Sequence, residues 1–332
     1  MRFNFGSSQL TFRFVLGMLA AFLVTAAGVS LAQENTPPAL ELVVLGSGGP
    51  GATGRAGAGY AVLLDGKPRI LVDAGPGTFV RAGEAKLSLA DMDIVLLTHL
   101  HADHVGGLPG LVKARAVSTG GKIVFHVFGP AGSKGGKDKD GDVAARFPST
   151  SRFINLMFGA QGAFSYLQDF AAPVSFKTSD LFVAHKTAAA NDTAAPRVVV
   201  NQNGLVITAI AGHHRDAPAV IYRVDYKGKS ITFSGDIDPH GHADLKRIGK
   251  GTQVLVFNTV VLDPPDSPEV LYTLHTAPKV IGQLAQQLGA GQLLLSHISP
   301  AVDEERDAVT ASIRRSYQGP LKFAEDGLRL PL

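Results

Sequence analysis

Cysteine is absent from the 332 residues of this sequence. Its absence excludes disulfide bonds, thiolate zinc sites and a cysteine nucleophile together. Any bound metal ion must therefore be held by histidine and carboxylate side chains. Hydrophobic residues make up 45% of the chain, so one large domain or two smaller ones can bury a full core.

A strong net charge is also lacking. The formal net charge is +3, and residues 1–32 contain Arg2 and Arg13 but no lysine, aspartate or glutamate, so the remainder carries +1. A chain this close to neutrality gives no argument for nucleic-acid binding.

The longest N-terminal apolar run is short for a membrane span. Phe14–Val29 follows two arginines and precedes Ser30-Leu31-Ala32, small residues that a signal peptidase reads. We predict a signal peptide over residues 1–32, cleaved after Ala32, with an uncleaved anchor as the alternative. The mature protein is then periplasmic or secreted, without membrane attachment, and residues 33–39 form a linker to a domain over 40–332.

A phosphate-binding loop is missing as well. The predicted strand Leu40–Leu45 leads into the glycine-rich stretch Gly46–Gly51, but its spacing is neither GxxxxGK[ST] nor GxGxxG and no helical pattern follows. This stretch is interpreted as a tight turn near the functional site.

The most specific feature present is the run His99-Leu100-His101-Ala102-Asp103-His104. It follows the apolar run Ile94–Leu97, a predicted buried strand, and precedes Gly106-Gly107, so its polar side chains are expected on a loop at the strand's end. His99 and His101 lie on one side of an extended segment. Imidazole and carboxylate are preferred ligands of zinc and similar ions, so the run predicts a metal site beside which a second ion can bind.

Two pairs of apolar runs predict β-hairpins, one turning at Asp65-Gly66-Lys67-Pro68 and one at Lys227-Gly228. Each hairpin ends near a polar residue, Asp73 in the first and Asp236 in the second. This repetition predicts an internal duplication and two packed sheets. Asp73 is either a turn former or helix cap, or a carboxylate that orients a metal-bound histidine.

An insertion of about 130–172 is rich in aromatic residues, with helical spacing around Ile154-Met157-Phe158. Most aromatic stripes belong to a core, but an insertion after a metal-binding loop can also line a substrate pocket. Both roles stay open, and no substrate-binding residue is identified.

Three further polar residues, His214, Asp236 and His297, stand at or just past the end of an apolar run. An aspartate can bridge two ions because its two oxygens can bind different metals. The predicted ligands are therefore His99, His101 and His214 for one ion, Asp103, His104 and His297 for a second, and Asp236 between them.

Taken together, the motifs resemble the metallo-β-lactamase fold superfamily, in the branch that holds ribonuclease Z and the zinc-dependent arylsulfatases. The resemblance covers residues 40 to about 300. It rests on Leu45-Gly46-Ser47-Gly48-Gly49-Pro50, Arg55, Asp73-Ala74-Gly75-Pro76-Gly77, the run from Thr98 to Leu111, His214 with Pro218–Arg223, Ser234-Gly235-Asp236, His275-Thr276 and Ser296–Pro300.

The resemblance implies an α/β fold, an αβ/βα four-layer sandwich with two divalent metal ions, zinc by default, in a cleft at one edge of the sheets. Such ions share a water whose pKa falls, which gives a bridging hydroxide nucleophile. By analogy, Asp103 orients or deprotonates that water, and His275 protonates or stabilises the leaving group. The family's spacing to Pro218 favours His214 over His213 as the ligand.

Two departures from the family bear on function. The stretch Phe257-Asn258-Thr259-Val260 replaces an HE-type sequence, and the long Gly/Pro-rich arm that grips tRNA is not evident. Export also removes the protein from tRNA. The expected function is therefore an exported dinuclear hydrolase that cleaves a small anionic ester, an aryl sulfate or a phosphodiester, with no nucleic acid as partner in the cell.

Two alternatives remain. One is hydrolysis of a lactone or β-lactam, although the bridging Asp236 argues against a true β-lactamase. The other is a metal-binding module without turnover, for which Asn258 leaves room. Dimers are common in the branch that the chain resembles, so a homodimer is a further expectation.

Overall fold

The computed structural model describes residues 36–51, 54–133, 136–137, 143–144, 146–170, 172–182, 195–215 and 217–332. The predicted signal peptide and residues 33–35 of the predicted linker lie outside these ranges. Within them, no helix has both the length and the apolar character needed to cross a membrane.

The first half of the domain forms a seven-stranded sheet that the last strand of the chain completes. Its strands are β1 (Leu40–Gly46), β2 (Gly59–Leu64), β3 (Lys67–Ala74), β4 (Ile94–Leu96), β5 (Ile123–Pro130), β8 (Val174–Leu181) and β16 (Arg329–Pro331). Their spatial order is β16-β1-β2-β3-β4-β5-β8. The pairs from β16 to β3 are antiparallel and those from β3 to β8 are parallel.

The second half repeats this plan with another seven-stranded sheet. Its strands are β9 (Arg197–Gln202), β10 (Leu205–His214), β11 (Ala217–Tyr226), β12 (Lys229–Phe233), β13 (Val254–Asn258), β14 (Gln292–Ser296) and β15 (Leu321–Phe323). Neighbours in this list pair in sequence, antiparallel from β9 to β12 and parallel from β12 to β15. A separate two-stranded ribbon joins β6 (Gly136–Lys137) to β7 (Val143–Ala144).

Helices cover the outer faces of both sheets. They are α1 (Thr78–Glu84), α2 (Ala102–Val105), α3 (Leu108–Ser118), α4 (Thr150–Phe158), α5 (His242–Gly249), α6 (Pro278–Leu288), α7 (Pro300–Glu304) and α8 (Arg306–Arg314), with 3₁₀ turns at Ser165–Gln168, Pro239–Gly241 and Glu269–Thr273.

Three buried apolar clusters separate the layers. The central cluster lies between the sheets and includes Leu42, Tyr222 and Phe233. A second cluster packs the first sheet against α1, α3 and α4, and a third packs the second sheet against α5, α6 and α8. The predicted αβ/βα four-layer sandwich is thus confirmed.

Both predicted hairpin turns are present and tight. Asp65-Gly66 and Lys227-Gly228 have positive φ at both positions, which two-residue hairpin loops with a right-handed twist require. The glycines accept this conformation at low cost.

The strand directions bring the candidate residues to one edge. β3 and β4 are parallel, and so are β12, β13 and β14. β10 runs in the same direction as β12, because each is antiparallel to β11. Within each sheet the carboxyl ends of these strands therefore lie at one edge, and contacts of His104 with His297 and Asp236 show that the two edges face each other.

Some local structure differs from the expectation. Asp103 and His104 belong to the four-residue helix α2 rather than to a loop, because the backbone of His101 is still extended and the helix begins directly after it.

Most of the aromatic insertion belongs to the core. The ring of Phe158 on α4 stacks on Phe176 of β8 with centroids 4.8 Å apart, and Phe164 lies 6.0 Å from Phe158. Tyr166 is exposed, and Phe147 lies toward the predicted metal site, with its ring centroid 5.6 Å from that of His101.

The end of the described chain returns to its first strand. β16 pairs with β1, Arg329 forms an ion pair with Glu41 at 2.8 Å, and the backbone N–H of Leu332 donates to the carbonyl of Leu40 at 2.8 Å. The first sheet is thus closed at this edge by residues from the far end of the sequence.

Candidate metal centre

Eight polar residues converge at the strand ends and are named here the His–Asp cluster. Apart from His101, Asp103 and His275, each is at most 3% exposed. The cluster consists of the seven predicted ligands and the predicted catalytic histidine: His99, His101, Asp103, His104, His214, Asp236, His275 and His297.

Asp236 lies at the centre of the cluster. Its Oδ2 atom lies 3.7 Å from Nε2 of His104 and 3.7 Å from Nε2 of His214. The same oxygen lies 3.9 Å from Nε2 of His99 and 3.9 Å from Nδ1 of His275. One carboxylate oxygen thus faces four imidazole nitrogens that come from separate parts of the chain.

The ligand atoms of His99, His101 and His214 all lie within 4.8 Å of one another, which is the grouping predicted for one ion. His99 and His101 project from the extended segment after β4, and their ring centroids are 4.6 Å apart. His214 reaches them from the last position of β10.

The second predicted grouping is also assembled, since the ligand atoms of Asp103, His104 and His297 share the same 4.8 Å limit. Nε2 of His297 lies 3.1 Å from Oδ2 of Asp103 and 2.9 Å from Nε2 of His104. The structure therefore brings together all seven predicted ligands, and their roles remain predictions.

The donor set fits divalent metal ions. In the described part of the chain, Nε2 of His99 and Nδ1 of His275 and His297 are buried without a hydrogen-bond partner. Buried polar atoms without partners are costly, and a cation accepted by nitrogen lone pairs and carboxylates removes that cost. Nitrogen and oxygen donors without thiolate suit zinc, manganese or iron.

Asp73 hydrogen-bonds His104, one of the predicted ligands, through the ring nitrogen that does not face the cluster. Its Oδ2 lies 2.8 Å from Nδ1 of His104, and it also accepts hydrogen bonds from the backbone and hydroxyl groups of Thr98, each at 2.7 Å. The carboxylate only accepts, so Nδ1 of His104 carries the proton and Nε2 is free to bind a metal. A backbone carbonyl does the same for His214, whose Nδ1 lies 2.8 Å from the oxygen of Leu274.

Two cluster residues are buried in a way that disfavours a positive charge. Burial lowers the pKa of the His99 imidazole well below its usual range and lowers the pKa of His275 to about 4. In His104 burial is the largest effect and acts in the same direction, but the Asp73 and Asp236 carboxylates together outweigh it and raise the pKa well above the usual value. A metal ion that binds Nε2 of His104 would therefore displace a proton from it.

The carboxylates of the cluster are held ionised. Burial alone raises the pKa of Asp236, but the imidazoles of His297 and His275 lower it well below its usual range. Burial opposes ionisation of Asp103 as well, while its hydrogen bond with His297 lowers that pKa to about 2. The side chain of Asp103 is 21% exposed, so it faces the open side of the cluster.

Glycines allow the surrounding loops to approach the cluster closely. A Cβ atom on Gly75 would lie 2.2 Å from the carbonyl oxygen of Asp103 and 2.4 Å from the carbonyl carbon of Gly57. A Cβ atom on Gly49 would lie 3.1 Å from the carbonyl oxygen of His297. The glycine-rich stretch after β1 therefore does turn beside the site.

The remaining histidines of this region lie outside the cluster. Nδ1 of His213 lies 2.6 Å from Oδ2 of Asp238, so His214 rather than His213 reaches the candidate ligands. His240 is exposed, and Nε2 of His242 lies 2.8 Å from the hydroxyl of Thr276.

Two contacts of the site had not been foreseen. Asn258, noted in the sequence only as a departure, hydrogen-bonds Asp236, and Phe147 stands against His101. Asn258 stands at the end of an apolar run, as His214 and His297 do, and this position is the sequence signal that could have assigned Asn258 to the site. For Phe147 the sequence carries no local signal, since its contact depends on the path of the insertion.

Comparisons with known proteins agree with this geometry. The family model described as "Metallo-beta-lactamase superfamily" matches residues 54–273. The ribonuclease Z of Mycobacterium avium strain 104 is 27% identical over 297 residues, covering 86% of this chain and 96% of that protein.

Solved structures show the same fold. The short form of human tRNase Z has a TM-score of 0.63 at 19% identity, covering 87% of this chain and 98% of that chain. The metallo-β-lactamase fold protein YhfI from Bacillus subtilis has a TM-score of 0.62 at 15% identity, covering 88% and 99% of the two chains.

Proposed function

Since the chain belongs to the metallo-β-lactamase superfamily, we propose that this metal-dependent hydrolase is exported and cleaves an anionic ester. The observation that carries the proposal is the convergence of four imidazole nitrogens on Oδ2 of Asp236, with the ligand atoms grouped as two ions require. A lone structural carboxylate has no need of four imidazoles around it.

A phosphodiester is the first candidate substrate. The similar protein from Mycobacterium avium is named a ribonuclease, and RNA is joined by phosphodiester bonds. Export would separate this chain from cytoplasmic RNA, so we propose a small phosphodiester rather than a nucleic acid as its partner. We propose further that the chain is periplasmic or secreted after cleavage at Ala32 and that it forms a homodimer.

An aryl sulfate is the second candidate, and Phe147 favours it. Its half-buried ring stands 5.6 Å from the ring of His101, at the edge of the cluster. An aromatic side chain in this place offers an apolar surface to an aryl group of the ester.

The candidate ligands would hold two divalent ions, zinc by default, and such ions supply Lewis acidity and an activated water. Asp103 is ionised and partly exposed, so its carboxylate can orient an attacking water and accept its proton. His275 has a buried Nδ1 without a hydrogen-bond partner among the described residues, and its ring can donate to the leaving oxygen. These roles are those that the resemblance implies for the two residues.

Metal content and turnover of the purified mature chain test the proposal. Metal would be counted by inductively coupled plasma mass spectrometry, and turnover measured with bis-p-nitrophenyl phosphate, p-nitrophenyl sulfate, a lactone and nitrocefin. The matched variant is Asp236→Ala, which removes the central carboxylate.

We expect about two ions per chain, turnover of the phosphodiester or the sulfate, and loss of both metal and turnover in Asp236→Ala. If only the lactone or nitrocefin were turned over, the proposed substrate class would be wrong, but the proposed metal centre would stand. Metal without turnover of any substrate would favour the metal-binding module, and no metal at all would reject the proposal.

A further inference from the structure

Asn258 contacts the carboxylate at the centre of the His–Asp cluster. Its Nδ2 atom donates to Oδ1 of Asp236 at 2.7 Å. Asn258 is 5% exposed and Asp236 is 3% exposed, so water does not compete for this bond. An ionised carboxylate only accepts hydrogen bonds, which requires that the amide nitrogen, not its oxygen, faces Asp236.

The backbone around Asn258 is fixed from two sides. Its N–H donates to the hydroxyl of Ser234 at 3.2 Å, at the end of β12. The N–H of Thr259 donates to the carbonyl of Ser296 at 2.8 Å, at the end of β14. The amide side chain therefore leaves a rigid strand end in a defined direction.

Because of this hydrogen bond, the two carboxylate oxygens of Asp236 have different partners. Oδ1 accepts the hydrogen bond from Asn258 and lies 3.6 Å from Nδ1 of His297, while Oδ2 faces His104 and His214 at 3.7 Å and His99 at 3.9 Å. A carboxylate without this bond is free to rotate about its Cβ–Cγ bond. With it, Oδ2 is held as the atom common to both candidate ion sites.

An acidic residue in the place of Asn258 would repel Asp236 instead of holding it in position. A carboxylate there would lie against Asp236 and repel it, because neither group could donate a proton to the other when both are ionised. The amide has nearly the same shape and supplies the donor. The arrangement thus requires a hydrogen-bond donor at this position, which the amide supplies.

We propose that Asn258 is a positioning residue for the metal centre, which holds Oδ2 of Asp236 between the two ion sites. This inference rests on the proposed function. Loss of the amide weakens binding of both ions together, because the residue that it positions is shared by both sites. Partners that orient a metal ligand typically contribute a factor of about 10–100 to metal affinity.

Zinc titration in competition with a chromophoric chelator tests the proposal, with the metal-free and metal-loaded full chain. Asn258→Leu keeps the size of the side chain but removes the donor, and Asn258→Asp keeps the shape but replaces the donor by an acceptor. Thr232→Val is the matched control, since Thr232 is fully buried in neighbouring β12 and hydrogen-bonds Thr252 at 3.0 Å, away from the cluster.

We expect about 10–100-fold weaker zinc binding at both sites in the two Asn258 variants and wild-type binding in Thr232→Val. The absorption spectrum of the Co²⁺-loaded protein should also change in the Asn258 variants, because it reports on ligand geometry. Circular dichroism of the metal-free chains shows which variants fold. If Asn258→Leu does not fold, Asn258→Asp decides alone.

Two results would overturn the proposal, and they can be told apart. A folded Asn258 variant that binds two zinc ions with wild-type affinity and an unchanged Co²⁺ spectrum would reject the role of Asn258 alone. A wild-type chain that binds no zinc would reject the proposed function and this inference with it.

Discussion

Nδ1 of His104 lies 2.8 Å from Oδ2 of Asp73, across the gap between β3 and the predicted metal-binding segment after β4. Asp73 has a positive φ of 53°, a backbone conformation that residues other than glycine adopt only where their surroundings compensate for it. Three hydrogen bonds to its carboxylate provide that compensation. The sequence had left open whether this aspartate is a turn former or helix cap, or a carboxylate that orients a histidine. Asp73 lies within β3 and its carboxylate contacts His104.

Asp73→Asn should weaken zinc binding by about 10–100-fold with little loss of fold, because the amide presents donors to His104 or Thr98 where acceptors are needed. Competition titration measures the change. Asp93→Asn is the control, since Asp93 pairs with Arg69 near the surface at the opposite end of β4. Equal affinities of wild type and Asp73→Asn would reject the orienting role.

Tyr222→Phe should lower the free energy of unfolding by about 1–1.5 kcal/mol, since it leaves a buried carbonyl without its partner. The fully buried Tyr222 hydroxyl donates to the carbonyl of Leu97 at 3.1 Å and so ties the two sheets together below the cluster. Urea denaturation checks the value. Tyr166→Phe, at a position that is 49% exposed, should change stability by much less, and equal effects would contradict the account.

Gly75→Ala should lower the stability of the protein, and Gly83→Ala should raise it. A Cβ atom at Gly75 would overlap the carbonyl of Asp103, so the metal-binding segment must shift, with a cost of about 1–3 kcal/mol and weaker zinc binding. Gly83 lies in α1 with open space around it, and alanine there should stabilise the helix by about 0.5–1 kcal/mol. Thermal denaturation and zinc titration of both variants measure these effects, and a neutral Gly75→Ala would refute the close approach.

His242→Gln should flatten the dependence of stability on pH. Burial lowers the pKa of folded His242 to about 4 from the usual 6.5, so between these values the unfolded chain binds a proton that the folded chain does not. The contribution of His242 to the free energy of unfolding is therefore complete above pH 6.5. It is lost as the pH falls toward 4, by about 1.4 kcal/mol per pH unit.

Urea unfolding of the metal-free chain at pH 7, 5.5 and 4 measures this difference. The wild type should lose about 2–3 kcal/mol more than His242→Gln over the range. His126→Gln, on β5, controls for the substitution itself. Parallel stability curves for wild type and His242→Gln would contradict the prediction.

The parts of the site that the sequence predicted are those with a local pattern. His99, His101, Asp103 and His104 lie within six residues, so their convergence needs only a strand and a turn. His214, Asp236 and His297 were found because a polar residue after an apolar run marks the end of a strand, and parallel strands end at the same edge of a sheet. The same runs predicted two packed sheets, and the resemblance to the superfamily implied the four-layer fold.

The parts that were missed depend on distant geometry. Phe147 contacts the cluster through the path of an insertion, which no local pattern encodes. Asn258 stands at the end of an apolar run, but an amide there is not a typical metal ligand, so the run alone did not assign it to the site. Helix α2 was missed because its four residues are too short for helical periodicity to show. Strand β16 is likewise too short for an alternation of apolar and polar residues to be recognised, and only its pairing with β1 defines it as a strand.

The pairing of β16 with β1 also bears on the order in which the protein folds. During synthesis the backbone groups on the outer edge of β1 have no partner until the last residues emerge, although the rest of the first sheet is already present. Exposed strand edges invite association with other chains, and contacts between distant parts of a sequence form slowly. Until β16 has paired with it, the edge of β1 is therefore open to association with other chains.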